Sequence, residues 1–416
     1  MGKKALALIL ILTILFAFGC TRKEDKGRNS NENMDNGSVI EENGVIEDEE
    51  EVDEIQEIID NMTLEEKIGQ LFIFGIDGTE IDEQIIELIQ KYKVGGFIFF
   101  GDNIDTIEQA IKLLNDIKKE NGNNPLPLFL AIDEEGGQVT RLADIFPSLP
   151  DAGRIGNINE KEISYEFGKL IGQRLKTIGF NMDFAPVLDI NSNPNNPVIG
   201  NRAFGSNKEV VIDNGIEVMK GINSENIISI VKHFPGHGDT TVDSHIDLPI
   251  IAKSLEELKG LELAPFERAI EEEVDGIMIA HILFHELDNK YPATLSQNII
   301  THLLREDLAY DGVVISDDMT MGAIMENYTV EEAALRFFQA GGDIALICHG
   351  YENMTSAFNR VKEEVYGGNL QIEEINQKVY RIISLKRKYN LADVLVEEYN
   401  IEEVNEKIES FLNKIK

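Results

Sequence analysis

Eight short apolar runs recur along the chain, and amphipathic stretches with helical spacing lie between them. The runs are Leu71–Ile76, Gly95–Phe100, Leu128–Ile132, Met182–Leu188, Ile227–Val231, Gly276–Ala280, Gly312–Ile315 and Ile344–Ile347. Each is too short for a buried helix, and a continuous apolar run of this length reads as a strand covered on both faces. Between the runs, Ile81, Ile85, Ile86 and Ile89 fall on one helix face, and so do Ile107, Ala110, Ile111 and Leu114. Thr63 with Glu66, and Ser254 with Glu257, have the spacing of a capping box that opens a helix. Strands alternating with helices imply parallel pairing through helical crossovers. Eight such units predict a closed (β/α)8 TIM-type barrel, with an open doubly wound sheet as the alternative. Two further amphipathic stretches follow. Ile372, Ile375, Val379, Ile382 and Ile383 predict a closing helix, and Val404, Ile408, Phe411, Leu412 and Ile415 predict one that packs on the barrel exterior.

The first residues follow a different logic. Lys3 and Lys4 precede an uncharged apolar run, Ala5 to Phe18, that ends at Gly19-Cys20. This is the pattern of a secretory signal peptide, and it is too short for a comfortable membrane span. A cysteine directly after a small residue resembles a bacterial lipoprotein processing site, although Ala17 and Phe18 depart from the usual residues there. The expectation is a signal peptide over 1–19 and a lipid-bearing Cys20, with an uncleaved anchor as the alternative. Either holds the protein outside the cytoplasm on the cell membrane. Residues 20–51 are acidic and poor in apolar side chains, which predicts a disordered tether. Residues 52–416 are assigned to the barrel domain. The formal net charge of −37 argues against a nucleic-acid partner. Cys348 is the only other cysteine, so no intramolecular disulfide is expected once Cys20 is acylated, and Cys348 reads as a small core residue.

Chemistry-bearing residues gather where a barrel would place its active site, at the carboxyl ends of the strands. Asp133 follows the third run, Asp189 the fourth, Lys232 and His233 the fifth, His281 the sixth, Asp317 and Asp318 the seventh, and His349 the eighth. With Arg141 and Arg202 from loops, the set suits a polyhydroxylated or anionic small substrate. Asp317, at a fixed strand end, suits a nucleophile. In Asp243-Ser244-His245, extended backbone would turn Asp243 and His245 to the same side. Asp243 would then orient the imidazole for proton transfer. A metal site built from His233, His237, Asp239, Asp243 and His245 is the competing reading, but the spacing matches no helical HExxH pattern and no metal or cofactor is expected. Gly136-Gly137 is not followed by a GxxxxGK[ST] pattern and reads as a tight turn. Bracing roles are open for Asp318, His281 and His349, and His237 and Asp239 have no assigned role.

The segments KHFPGHGDTTVDSH (Lys232–His245), AIDEEGGQVTRL (Ala131–Leu142), FAPVLDI (Phe184–Ile190), GNRAFG (Gly200–Gly205), PATLS (Pro292–Ser296) and GVVISDDM (Gly312–Met319) together resemble the bacterial β-N-acetylhexosaminidases of glycoside hydrolase family 3. The resemblance covers about Thr63 to Leu391. It implies a retaining exo-glycosidase that removes terminal β-linked N-acetylglucosamine from peptidoglycan-derived or related glycans. It further implies Asp317 as nucleophile and His245, paired with Asp243, as acid/base on a mobile loop whose Gly236 and Gly238 let it close. Asp133, Arg141, Arg202, Lys232 and His233 are implied as sugar contacts. A related β-glucosidase, a phosphorolytic N-acetylglucosaminidase and a non-catalytic sugar-binding lipoprotein are the alternatives. The oligomeric state is left open.

Overall fold

Each of the eight runs contributes a strand. In chain order these are β1 (Phe72–Gly75), β2 (Gly96–Phe99), β3 (Phe129–Ile132), β4 (Met182–Asp183), β5 (Ile228–Phe234), β6 (Gly276–Ile279), β7 (Val313–Ser316) and β8 (Ala345–Ile347). The computed structural model describes residues 53–244 and 246–416. All neighbours pair in parallel, in the order β8-β1-β2-β3-β4-β5-β6-β7. A parallel bridge between Ile315 and Ile344 joins β7 to β8, with the Ser316 amide donating to the Ile344 carbonyl at 3.0 Å. That contact closes the sheet and decides for the barrel over the open doubly wound alternative.

The strands are buried along their length, as continuous apolar runs require. The fourth run is the exception. Only Met182–Asp183 forms a regular strand, because Pro186 has no amide hydrogen to give to a ladder. The chain re-pairs just beyond it, where the Leu188 amide donates to the Lys232 carbonyl at 2.6 Å. The fifth strand is longer than its apolar run and takes in Lys232, His233 and Phe234. Both capping boxes form, with the Thr63 amide donating to Glu66 and the Ser254 amide to Glu257, each at 2.8 Å. In the helix Glu83–Gln90, Ile85 and Ile89 face the core, but Ile86 is 37% exposed and Ile81 precedes the helix. Ile86 lies about 100° round the helix from Ile85, beyond the edge of the apolar stripe. The helices Ile372–Lys388 and Ile401–Lys414 bury the expected faces, and the Phe411 ring lies 6.3 Å from that of Phe167 on the helix Lys161–Ile178.

One buried ion pair ties this outer layer to the loop that follows β3. Arg174, on Lys161–Ile178, places Nη1 2.7 Å from Glu134 Oε1, and neither side chain is exposed. The Glu134 carboxylate also accepts from the Thr140 hydroxyl at 2.7 Å and from the Arg141 amide at 2.9 Å. It thereby folds the loop back on itself and sets where Arg141 leaves the backbone. Arg174→Met would strand a buried carboxylate and is expected to cost about 3–5 kcal/mol of unfolding free energy. Urea unfolding measures this; a loss below about 1 kcal/mol, typical of exposed pairs, would show that the pair does not hold the loop.

Candidate active site

A cavity of about 230 Å³ opens at the carboxyl ends of the strands. Its centre is Lys232 on β5. The Lys232 Nζ lies 2.6 Å from Asp133 Oδ1 and 2.6 Å from Glu135 Oε1. Arg202 grips the same Glu135 through Nε and Nη2, both at 2.8 Å. Arg141 Nη2 stands 3.7 Å from Asp133 Oδ2, with its guanidinium 5.7 Å from the Phe100 ring centre. Burial pushes the Glu135 carboxyl up, but Arg202 and Lys232 outweigh it and hold the group well below the usual carboxylate range. Burial likewise pushes the Lys232 amine down, and Asp133 and Glu135 more than reverse it. Both shifts favour the charged forms of Glu135 and Lys232, and the network presents fixed donors and acceptors to the cavity.

His233 lines the cavity beside Lys232. In a regular strand consecutive side chains point to opposite faces, but the β5 register shifts between Val231 and Phe234, and both residues reach the cavity. The Lys232–His233 peptide is cis. His233 Nδ1 lies 2.6 Å from Asp189 Oδ2, so Nδ1 carries a proton and donates to the carboxylate. Asp189 also accepts the His237 amide at 2.6 Å. Burial pushes the Asp189 carboxyl up, yet His233 and that amide leave it below its ordinary value.

Beyond β5 the loop is packed down rather than free. A Cβ on Gly238 would meet the Ile190 carbonyl oxygen at 1.7 Å, and one on Gly236 (φ 134°) would meet Glu262 Cβ at 2.7 Å. At Gly238 the missing Cβ permits a close backbone approach, and at Gly236 it leaves room for the Glu262 side chain. Asp239 pairs with Lys253 at 2.8 Å, and Lys253 with the buried Glu262 at 2.5 Å. His237 is buried between two hydroxyls, Thr240 Oγ1 and Ser244 Oγ, each 3.0 Å from a ring nitrogen.

Asp317 leaves the end of β7 with its amide donating to the Ile279 carbonyl at 3.1 Å, and it lines the same cavity. One carboxylate oxygen accepts the Asp318 amide at 2.9 Å. Burial pushes this carboxyl up, but His281, His233, the Asp318 amide and Lys232 together hold it below its ordinary value. It is ionised at neutral pH, and among the described residues it forms no ion pair. Asp318 has the bracing role left open for it: its carboxylate accepts the amides of Thr320 at 2.9 Å and Cys348 at 3.0 Å. His281 is buried beneath, with Nε2 donating to the Asp318 carbonyl at 2.9 Å and Nδ1 2.7 Å from Thr294 Oγ1 of the PATLS segment.

Residues 63–385 match the profile of the Glycosyl hydrolase family 3 N terminal domain. The chain belongs to glycosyl hydrolase family 3. It is 35% identical over 334 residues to "Beta-hexosaminidase A" of Pseudoalteromonas piscicida, a match spanning 74% of this chain and 56% of that protein. It is 31% identical over 328 residues to "Beta-hexosaminidase LpqI" of Mycobacterium tuberculosis, spanning 77% of this chain and 82% of that one. Among solved structures it is similar to a glycoside hydrolase family 3 beta-N-acetylglucosaminidase from Paenibacillus sp. str. FPU-7. The TM-score is 0.81 and the identity 39%, covering 85% of this chain and 69% of that chain.

Of the site residues expected of a family 3 chain, Asp133, Arg141, Arg202, Lys232, His233 and Asp317 meet in one cavity. Asp243 is half-buried on the loop, and its carbonyl accepts the amides of Ile246 and Asp247 at 3.0 and 3.1 Å. His245, Cys20 and the segments 1–19 and 20–51 lie outside the described residues, apart from which no metal-holding cluster of His, Cys, Asp or Glu occurs among the described ones. Glu135 and Ser244 were not singled out in the sequence, and His237 was named there only in the competing metal reading, with no role assigned. Alternation would have found Glu135, two residues after Asp133 on an extended segment; the two hydroxyl partners of His237 have no signature in sequence. His349 lines the rim, stacked on Phe100 with centroids 5.4 Å apart.

Burial, with His233 adding to it, lowers the His237 pKa from 6.5 to about 4. Between pH 6.5 and 4 the unfolded chain therefore binds a proton that the folded chain refuses, and stability falls as pH falls through that window. In an NMR titration, the imidazole signal that disappears in His237→Asn should show a midpoint near 4; a midpoint at or above 6.5 would contradict this burial.

Proposed function

We propose that this protein is a retaining exo-β-N-acetylglucosaminidase acting on peptidoglycan-derived or related glycans, with Asp317 as nucleophile and His245, oriented by Asp243, as acid/base. The observation that carries it is Asp317: an ionised carboxylate at a rigid strand end, facing a cavity of about 230 Å³ lined by charged hydroxyl-binding groups. That volume is below the roughly 300–1,000 Å³ of pockets for drug-sized ligands, which suits one terminal sugar rather than a long chain. The names of the relatives in the family support the N-acetylglucosaminide over a plain glucoside.

The chemistry follows from charge. An Asp317 oxygen attacks the anomeric carbon while the bond to the leaving oxygen breaks and His245 gives that oxygen its proton. The oxocarbenium-like transition state gains from the adjacent carboxylate. Water then attacks the same anomeric carbon and gives a proton to His245, the bond from that carbon to the Asp317 oxygen breaks, and the two displacements leave the anomeric configuration retained. Lys232, Asp133, Arg141, Arg202 and His233 hold sugar hydroxyls and the ring in register for both steps. The imidazole is cationic as the acid and neutral as the base, so neither form sets a second carboxylate against the nucleophile.

A second reading of the proton donor has its own observation, since Asp189 and His233 form a buried Asp–His pair at the cavity wall. Aryl and alkyl N-acetylglucosaminides separate the two. Asp317→Asn should lose at least about 10³-fold in kcat on both substrates. His245→Ala should lose about 10²-fold or more on the alkyl glycoside and far less on the aryl one. If His233→Ala carries that selectivity instead, the acid is His233; if Asp317→Asn stays active, the nucleophile is misassigned. Added phosphate should not raise turnover.

The Lys3–Cys20 sequence supports tethering outside the cytoplasmic membrane through a lipid on Cys20. Cys20→Ala should move the protein from the detergent to the aqueous phase in a Triton X-114 partition; unchanged partition would rule out lipid on that residue.

A further inference from the structure

The residue between the two members of the proposed proton-transfer pair is held more firmly than a loop serine needs to be. Ser244 is 1% exposed and borders the cavity. Its hydroxyl meets His237 Nε2 at 3.0 Å, and its carbonyl accepts the Ala323 amide at 3.1 Å. Ala323 lies in the short helix Gly322–Met325, which follows Asp317 and Asp318 on the β7 side of the mouth. Ser244 is thus tied by its side chain to the β5 loop and by its backbone to the segment that carries Asp317.

His237 can serve as the fixed end of this tie because it is itself immobilised. Its amide donates to Asp189 Oδ1 at 2.6 Å, and its carbonyl accepts from Asn196 Nδ2 at 2.8 Å. The other ring nitrogen faces Thr240 Oγ1 at 3.0 Å. A neutral imidazole has one donor and one acceptor nitrogen. Hydroxyls can take either role, so Thr240 and Ser244 satisfy the ring in either tautomer. Asp189 also orients His233, so one carboxylate is the common anchor for the cavity-wall imidazole and for the loop.

We propose that Ser244 is a positioning residue: its hydroxyl, held by buried His237, and its carbonyl, held by the Ala323 amide, fix the backbone from which its neighbours Asp243 and His245 extend. This rests on the acid/base assignment above, and deepens it by naming what aims the pair. Geometry of this kind matters because proton transfer in the transition state needs the donor within hydrogen-bond reach of the leaving oxygen.

A double-mutant cycle on full-length protein tests it, with kcat and KM measured for an alkyl and an aryl N-acetylglucosaminide. Ser244→Ala removes one oxygen, and thermal unfolding checks that the fold is kept. The alkyl substrate should lose about 10-fold or more in kcat, with KM changed less than about 3-fold and the aryl substrate little affected. In the His245→Ala background, Ser244→Ala should cost nothing further, because it acts through that imidazole. Equal losses on both substrates, or a full extra loss in the His245→Ala background, would overturn the positioning role. If His245→Ala is leaving-group selective and Ser244→Ala is not, the positioning role fails and the acid/base assignment stands. If neither is selective, both fail.

Discussion

Burying the Lys232 ammonium at the mouth of the barrel is tolerable only because two carboxylates each stand 2.6 Å from it. Those carboxylates bring further obligations. Glu135 is nearly as buried as the lysine and is balanced by the two-pronged grip of Arg202, while Asp133 faces Arg141. The three segments involved leave different strands, so satisfying one charge fixes the relative placement of the β3 loop, the β4 loop and β5. The barrel supplies stiff strand ends, and the charge network converts them into a cavity wall with set donors and acceptors. Taking out one partner would leave another charge uncompensated in a place with little water.

The aspartates around this network show how environment divides one side chain among several tasks. Asp189 is spent on orienting His233 and receiving the His237 amide. Asp318 is spent on backbone amides that shape the turn. Asp183, deep in the barrel, accepts the Glu134 amide, and burial raises its pKa well above the ordinary value. Asp317 lines the cavity with its charge favoured by His281, His233 and Lys232, and among the described residues it forms no ion pair. A carboxylate neutralised by a salt bridge would be a poor nucleophile; one held by a single amide and by more distant charges retains its reactivity.

Much of this was legible in the residue pattern. The eight apolar runs gave the strands because parallel strands in such a barrel are covered on both sides. The polar residues at their ends stood out because they interrupt that cover. The fourth run misled at Pro186, where composition suggested strand but the missing amide hydrogen did not allow one. Gly236 and Gly238 stood out as glycines, but the close neighbours that they accommodate, Glu262 and the Ile190 carbonyl, are remote in sequence. What sequence could not convey was long-range pairing. Nothing local to Glu134 announces Arg174, 40 residues on, and nothing local to Ser244 shows that its backbone meets Ala323. The closure of the sheet rests in the same way on Ile315 meeting Ile344.

The central claim is that Asp317 becomes covalently bonded to the sugar. Incubation with a 5-fluoro N-acetylglucosaminyl fluoride, followed by proteolysis and mass spectrometry, tests it most directly. The account predicts a single adduct of one fluorinated sugar on the peptide containing Asp317, formed as activity is lost. An adduct on a different residue, or full turnover of the reagent with inversion and no adduct, would contradict it.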